Sequence, residues 1–193
     1  MGRKARFNKN DFLDAALGRL ENGGPAAVGM KDVAGAAGAP LGSLYHRFES
    51  REMLLAELWV REIERFQAGF LEALAAGDGP RAALHPVRYA RERPSRARLL
   101  LLFRREEFGA GNWPREIECR VAELAGALDE GVRNYADRLW GAAAPENMAR
   151  LVFALVDVPA AAVRRFLEQG QTPPAQAEAL VLRAFQALME DEA

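Results

Sequence analysis

The sequence predicts an all-α protein: a compact three-helix head at the N-terminus, then a larger helical body. Three observations carry this. Apolar residues recur at three- and four-residue spacing through almost all of the 193 residues, with no sustained alternation of the kind a strand needs. Gly and Pro cluster at regular breaks, which divide the chain into about nine to ten helical stretches. Charge is also unevenly spread, because residues 1–51 hold eight Lys/Arg against five acids and the remaining 142 hold 18 against 22. A basic front on an acidic body is the asymmetry expected when only the front meets a polyanion.

Helix one is expected from about Lys9 to Glu21, with Asn8 as its cap and Phe12, Ala16, Leu20, Leu13 and Leu17 on its inner face. Gly23-Gly24-Pro25 stops it. A second, short helix is expected over about Met30 to Ala37, ended by Gly38 in the left-handed conformation that favours glycine. The third covers about Leu41 to Arg47 and starts at Pro40, which fits a first turn without penalty. Ser50 then caps a long fourth helix over 51–76, which acts as a connector and closes at Gly77-Asp78-Gly79-Pro80. The expected domains are therefore a head over 1–50 and a body over 51–193.

Further breaks are expected at Pro94, Gly109-Ala110-Gly111-Asn112, Gly141 to Pro145 and Gly170 to Pro174. Pro86 and Pro159 fall inside helical patterns and predict a kink or a restart. Four polar residues, Arg104 to Glu107, are expected as a charge cluster on the sixth helix.

Two short helices joined by a tight glycine turn, after a longer helix, form a helix-turn-helix pattern. Leu44 and Phe48 share the inward face of the third helix. That turns Ser43, His46 and Arg47 outward, with Tyr45 at the margin, and leaves Gly42 for close backbone approach. Hydroxyl, imidazole, guanidinium and phenol groups suit phosphates and base edges.

The segments AALGRLENGG, KDVAGAAG and LGSLYHRFESREMLL resemble the DNA-binding head of the TetR (tetracycline repressor-like) transcription regulators. The match runs through Ala15-Ala16, Gly24, Val33-Ala34, Gly38, Gly42, Leu44-Tyr45, Phe48 and Ser50-Arg51-Glu52. The chain departs from the family where Pro40 replaces a Ser or Thr, Leu41 a Lys or similar, and Gly29 a Thr. DNA contacts are therefore expected from Lys31, Pro40, Leu41, Gly42, Ser43, Tyr45, His46, Arg47, Arg51 and the basic tail Arg3, Lys4 and Arg6. Phosphate contacts shift toward Tyr45, His46, Arg51, Lys31 and that tail, and Leu41 is free to meet a thymine methyl.

The resemblance implies a homodimer that reads palindromic double-stranded DNA, a repressor released when a small-molecule effector enters the body. The expected ligand-binding residues are Phe66, Phe70, Tyr89, Phe103, Trp113, Tyr135 and Asp157. Asp157 lies in the apolar run LVFALVDVPAAAV, where a carboxylate must pair, protonate or face a cavity. The expected dimerisation residues are Leu151, Leu155, Val158, Val181, Phe185 and Leu188, with Leu180 and Ala184 on a second stripe. The same stripes could instead cover a monomer core. An alternative of another class is a helical small-molecule-binding protein whose DNA recognition is weakened.

Catalysis is not expected. The chain has only two histidines, and it lacks a nucleophile elbow, a phosphate loop or any metal-ligand spacing. A single cysteine excludes an internal disulfide and a zinc-thiolate cage. Cys119 is read as a buried, inert thiol, with a redox role as the alternative. No cofactor is expected. Without an apolar leader or a run of about 20 apolar residues, the sequence reads as a soluble, cytoplasmic protein with no membrane partner.

Overall fold

The computed structural model describes residues 7–103, 105–108 and 113–190. Ten α-helical segments account for these residues, and no strand occurs among them: α1 Lys9–Gly23, α2 Met30–Ala36, α3 Leu41–Tyr45, α4 Arg51–Ala75, α5 Gly79–Glu92, α6 Pro94–Leu102, α7 Arg115–Trp140, α8 Pro145–Val152, α9 Val158–Glu168 and α10 Ala175–Met189. The chain forms two compact units. Among the described residues, one comprises 7–61 with 105–108 and 113–120, the other 62–103 with 121–190. The head thus keeps the first turns of α4 and a later segment, where the sequence placed its edge at residue 50. Arg3, Lys4, Arg6 and Arg104, and the expected break at Gly109 to Asn112, lie outside the described residues.

In the first unit, local chemistry sets each helix. Asn8 caps α1: its side-chain oxygen accepts the Asn10 N–H at 2.8 Å, while the Asp11 carboxylate takes the Asn8 N–H at 2.7 Å. This reciprocal box satisfies two donors that a helix start would otherwise leave open. At the end of α2, Gly38 adopts φ +63. The Ala39 N–H reaches back to the Ala34 carbonyl at 2.9 Å and Gly38 to Gly35 at 3.1 Å, a paired closure that a left-handed residue permits and a side chain disfavours. Ser50 Oγ accepts the Met53 N–H at 3.1 Å and starts α4.

The faces so aligned bury Phe12, Leu13, Leu17, Leu20, Val28, Val33, Leu44, Phe48, Leu54, Leu55 and Leu58. The Phe12 and Phe48 rings meet edge to face at 6.5 Å, the geometry their quadrupoles favour. Glu57 lies buried among polar partners, with Lys9 Nζ at 2.5 Å and Arg120 Nη1 at 2.7 Å from its two oxygens. Burial alone would raise its pKa, but the hydrogen bonds from Lys9 and Arg120 outweigh that and hold it below the ordinary carboxylate value.

In the second unit, α5 packs against α6, α9 and α10. The core includes Phe70, Leu74, Val87, Tyr89, Val132, Tyr135, Leu151, Leu155, Val163, Leu167, Val181 and Phe185. Gly79 opens α5 where space is tightest: a Cβ there would stand 2.1 Å from the Tyr135 hydroxyl and 2.5 Å from Phe185 Cζ. Replacing Gly79 by Ala should therefore overpack the contact and cost about 1–3 kcal/mol. Thermal unfolding of the variant checks this, and a midpoint equal to or above the parent's would contradict it.

The two internal prolines behave differently. Pro86 sits within a continuous α5, so no restart occurs there. Pro159 does mark a restart. The helix widens into a π turn over Phe153–Asp157, where the Val158 N–H bonds to the Phe153 carbonyl. A proline at 159 cannot bond the carbonyl four residues back and its ring crowds it, so one widened turn accommodates it.

Candidate nucleic-acid and ligand sites

The outward face of the helix-turn-helix is built by α3. Leu44 and Phe48 point inward and are fully buried, as their spacing predicts. Leu41, Gly42, Tyr45, His46 and Arg47 are exposed, as are Pro40 before them and Lys31 on α2; Ser43 is half-buried. Tyr45 is half exposed. Arg47 donates one guanidinium N–H to the Phe7 carbonyl. That contact ties α3 to the residue ahead of α1.

Arg51 departs from its expected role. Its Nε donates to the Val28 carbonyl at 2.7 Å, and a terminal N–H donates to the Pro25 carbonyl. Glu52 lies 3.8 Å from its remaining nitrogen. These donors brace the start of α4 against the segment between α1 and α2. Arg51 is thus a structural clamp in this fold. Residue type alone could not show this, because the same guanidinium fork suits a phosphate or a carbonyl.

The expected ligand residues separate. Phe66, Phe70, Tyr89 and Tyr135 stand together in the second unit, with Phe66 edge-on to Tyr89 at 5.2 Å and stacked on Phe70 at 6.5 Å. Trp113 lies in the first unit, its ring 5.3 Å from that of Trp59. The aromatic group belongs to the second unit, whereas Trp113 belongs to the first. Phe103 is half-buried just beyond α6. Asp157 is exposed. Its apolar neighbours Val152, Phe153 and Val156 are themselves exposed, so the run that suggested a buried carboxylate is partly an outer face.

Sequence reasoning missed His85. Its ring lies 4.9 Å from Phe66 and 5.9 Å from Tyr89, and Nε2 is 2.8 Å from the Phe66 carbonyl. A carbonyl only accepts, so Nε2 carries the proton and Nδ1 is bare in the neutral ring. Gly69 gives the ring its seat, since a Cβ there would sit 2.6 Å from the imidazole. Gln67 was missed as well. Its amide oxygen and the Tyr89 hydroxyl are buried without hydrogen-bond partners. A glycine inside α4, about two turns before its end, was the one available signal for this contact, and its meaning depends on which helix crosses it.

Burial depresses the His85 pKa, only partly offset by the Phe66 carbonyl; Arg81 and Arg93 lower it further and Glu92 raises it. The folded imidazole therefore resists a proton that the unfolded chain accepts near the ordinary value of 6.5. Stability is fully present above that value and falls as pH drops from it through the depressed folded-state pKa. His85→Gln should flatten the fall in melting temperature between pH 7 and pH 5. An unchanged slope in the variant would remove His85 as its cause.

The expected dimerisation residues prove to be core. Leu151, Leu155, Val181 and Phe185 are buried within their own unit, while Val158 and Leu188 are partly buried against it. The inward stripes of the π turn, α9 and α10 are consumed by packing on α5 and on one another. What remains outside is a second apolar set: Val152, Phe153, Val156 and Leu180, the last 58% exposed. Cys119 is exposed, not buried. Among the described residues, no group of His, Cys, Asp and Glu could hold a metal ion, and no helix is long and apolar enough to cross a membrane.

Fold and surface together define an all-helical protein with a helix-turn-helix head. Residues 12–58 match the profile of the bacterial regulatory proteins of the tetR family. Through that head the chain is similar to the tetR family of regulators. It is 33% identical over 79 residues to the HTH-type transcriptional repressor KstR2 of Rhodococcus jostii (strain RHA1), a match over 41% of this chain and 39% of that protein. It is 39% identical over 75 residues to the HTH-type transcriptional repressor KstR of Mycolicibacterium smegmatis (strain ATCC 700084 / mc(2)155), over 39% and 37% respectively. The chain thus matches less than two fifths of the length of each of these relatives.

Likeness of fold extends further. The fatty acid degradation regulator FadR from Bacillus halodurans superposes with a TM-score of 0.71 at 16% identity, over 96% of this chain and 100% of that one. FadR from Bacillus subtilis, solved in complex with stearoyl-CoA, gives 0.67 at 14% identity, over 95% and 98%.

Proposed function

We propose that this chain is a ligand-responsive transcriptional repressor that binds a palindromic DNA site as a homodimer and leaves it when a small molecule enters the body. One observation carries the reading: a match to the tetR-family head over residues 12–58, whose α3 turns an exposed face outward. The repressor sense follows from the names of KstR2 and KstR.

Within this reading, Lys31, Tyr45, His46 and Arg47 meet phosphates, with Arg3, Lys4 and Arg6 adding charge from outside the described residues. Pro40, Leu41, Gly42 and Ser43 face the groove. Half-sites then lie about one helical turn, roughly 34 Å, apart or a near multiple. The effector site is the α4–α5 region around Phe66, Phe70, His85, Tyr89 and Tyr135. Support comes from the Tyr89 hydroxyl and the Gln67 amide oxygen, since a buried polar atom without a partner costs about 1–3 kcal/mol and a ligand group relieves it. The stearoyl-CoA bound by FadR makes long-chain acyl thioesters the first probes. The dimer face is the exposed set Val152, Phe153, Val156 and Leu180.

Selection from random duplex DNA tests the reading. A palindrome should be recovered, with affinity falling as salt rises, and Lys31→Ala should reduce the salt slope by about one unit. Failure to enrich any site with the folded protein would overturn it in favour of a helical small-molecule-binding protein with weakened DNA recognition.

A further inference from the structure

The exposed face of α3 bears two features that the protein's own packing does not explain. Leu41 is 40% exposed and Tyr45, one turn later, 50%. Between them Gly42 lies in the first turn of the helix, with negative φ, so no left-handed backbone requires glycine there. A Cβ built there finds nothing within 4 Å, so no neighbour in the fold demands its absence. An apolar side chain held out to solvent beside an unforced glycine points to an external partner that is apolar at one spot and comes close to the backbone.

The surroundings say what kind of partner this is. Lys31, His46 and Arg47 are exposed on the same head. Leu41 and Tyr45 are the only two residues of the head among the exposed large hydrophobics of the described chain. One leucine and one tyrosine are far short of the roughly 800 Å² per partner that a stable protein interface needs. They suit the major groove, where each thymine offers a single methyl group among polar edges and phosphates.

We propose that Leu41 is a specificity residue that reads thymine through its 5-methyl group, with Gly42 admitting the strand to the helix backbone. This rests on the DNA-binding reading above. Leucine has no donor or acceptor, so it cannot report on the hydrogen-bonding edge of a base. It can distinguish thymine from uracil, which pair identically and differ only by the methyl.

The test begins with the palindrome recovered by selection. Each thymine is then replaced in turn, symmetrically in both half-sites, by deoxyuridine, and binding is measured for the unaltered chain and for Leu41→Ala. One thymine per half-site should stand out, its replacement weakening the unaltered chain about fourfold for each methyl lost. Leu41→Ala should bind the thymine and uracil duplexes equally, while melting like the parent because the exposed side chain supports no core. Indifference of the unaltered chain to every replacement overturns the proposal, as does discrimination that persists in Leu41→Ala. Failure of the reading itself shows earlier and differently, as a selection that yields no site at all, and the proposal falls with it.

Discussion

Replacing Phe48 by Ala should unfold the helix-turn-helix head. The side chain is fully buried and meets Phe12 edge-on, one turn beyond the equally buried Leu44. Truncating a buried phenylalanine costs about 3–5 kcal/mol, through lost transfer energy and the cavity left behind. A typical domain has only about 5–15 kcal/mol in total. The short α2 and α3 have little helical stability of their own at seven and five residues, so they depend on this contact. Far-ultraviolet circular dichroism should show an early loss of part of the helical signal, with the remainder melting later. DNA binding should vanish with the first transition. Phe48→Leu, which keeps most of the volume, should cost under about 1.5 kcal/mol. A Phe48→Ala protein that melts like the parent would mean that the head is not organised around this ring.

Leu180→Asp should convert the protein to a monomer in solution, and DNA affinity should fall by at least about a hundredfold as the second head is lost from the complex. Leu180 is the most exposed large hydrophobic residue among those described, and α10 packs against the turn that presents Phe153 and Val156. A carboxylate there costs little in the monomer, because the position is open to water. Buried against a copy of itself it would meet a like charge without compensation. Sedimentation equilibrium reads the mass, and thermal unfolding at low concentration confirms an intact fold. Phe153→Asp is the second, independent variant. If both variants remain dimeric, the interface lies elsewhere; a monomeric parent would end the homodimer reading.

Local features were legible to the extent that their cause is local. The Asn8 cap, the Ser50 cap and the left-handed Gly38 turn each follow from a side chain or its absence acting within four residues. Leu44 and Phe48 faced inward because a four-residue spacing must share a helical face. Arg51 and Trp113 were not legible in the same way. Whether a guanidinium holds a phosphate or two carbonyls depends on a loop 23 to 26 residues away in sequence. Whether an indole joins one aromatic group or another depends on which unit it packs into, and Trp113 packs into the first, beside Trp59. Long-range partners of that kind leave no periodicity to read.

The second unit makes the same point with apolar stripes. Leu151, Leu155, Val181 and Phe185 have the spacing of an interface and the spacing of a core, because both need a continuous apolar face. Only the arrival of α5 decided which, burying those four and leaving Val152, Phe153, Val156 and Leu180 outside. Asp157 followed from the same decision, since the outer half of its apolar run faces water.

The sequence by itself determined the all-α class, the caps that start α1 and α4, the Gly38 turn and the helix-turn-helix head, because capping, periodicity and turn chemistry act over a few residues. Tertiary structure alone decided that Arg51 is a clamp, that Trp113 sits with Trp59, that His85 lies on Gly69, and which apolar face stays exposed. Those outcomes depend on which helices meet, a relation between residues far apart in the chain that only packing resolves.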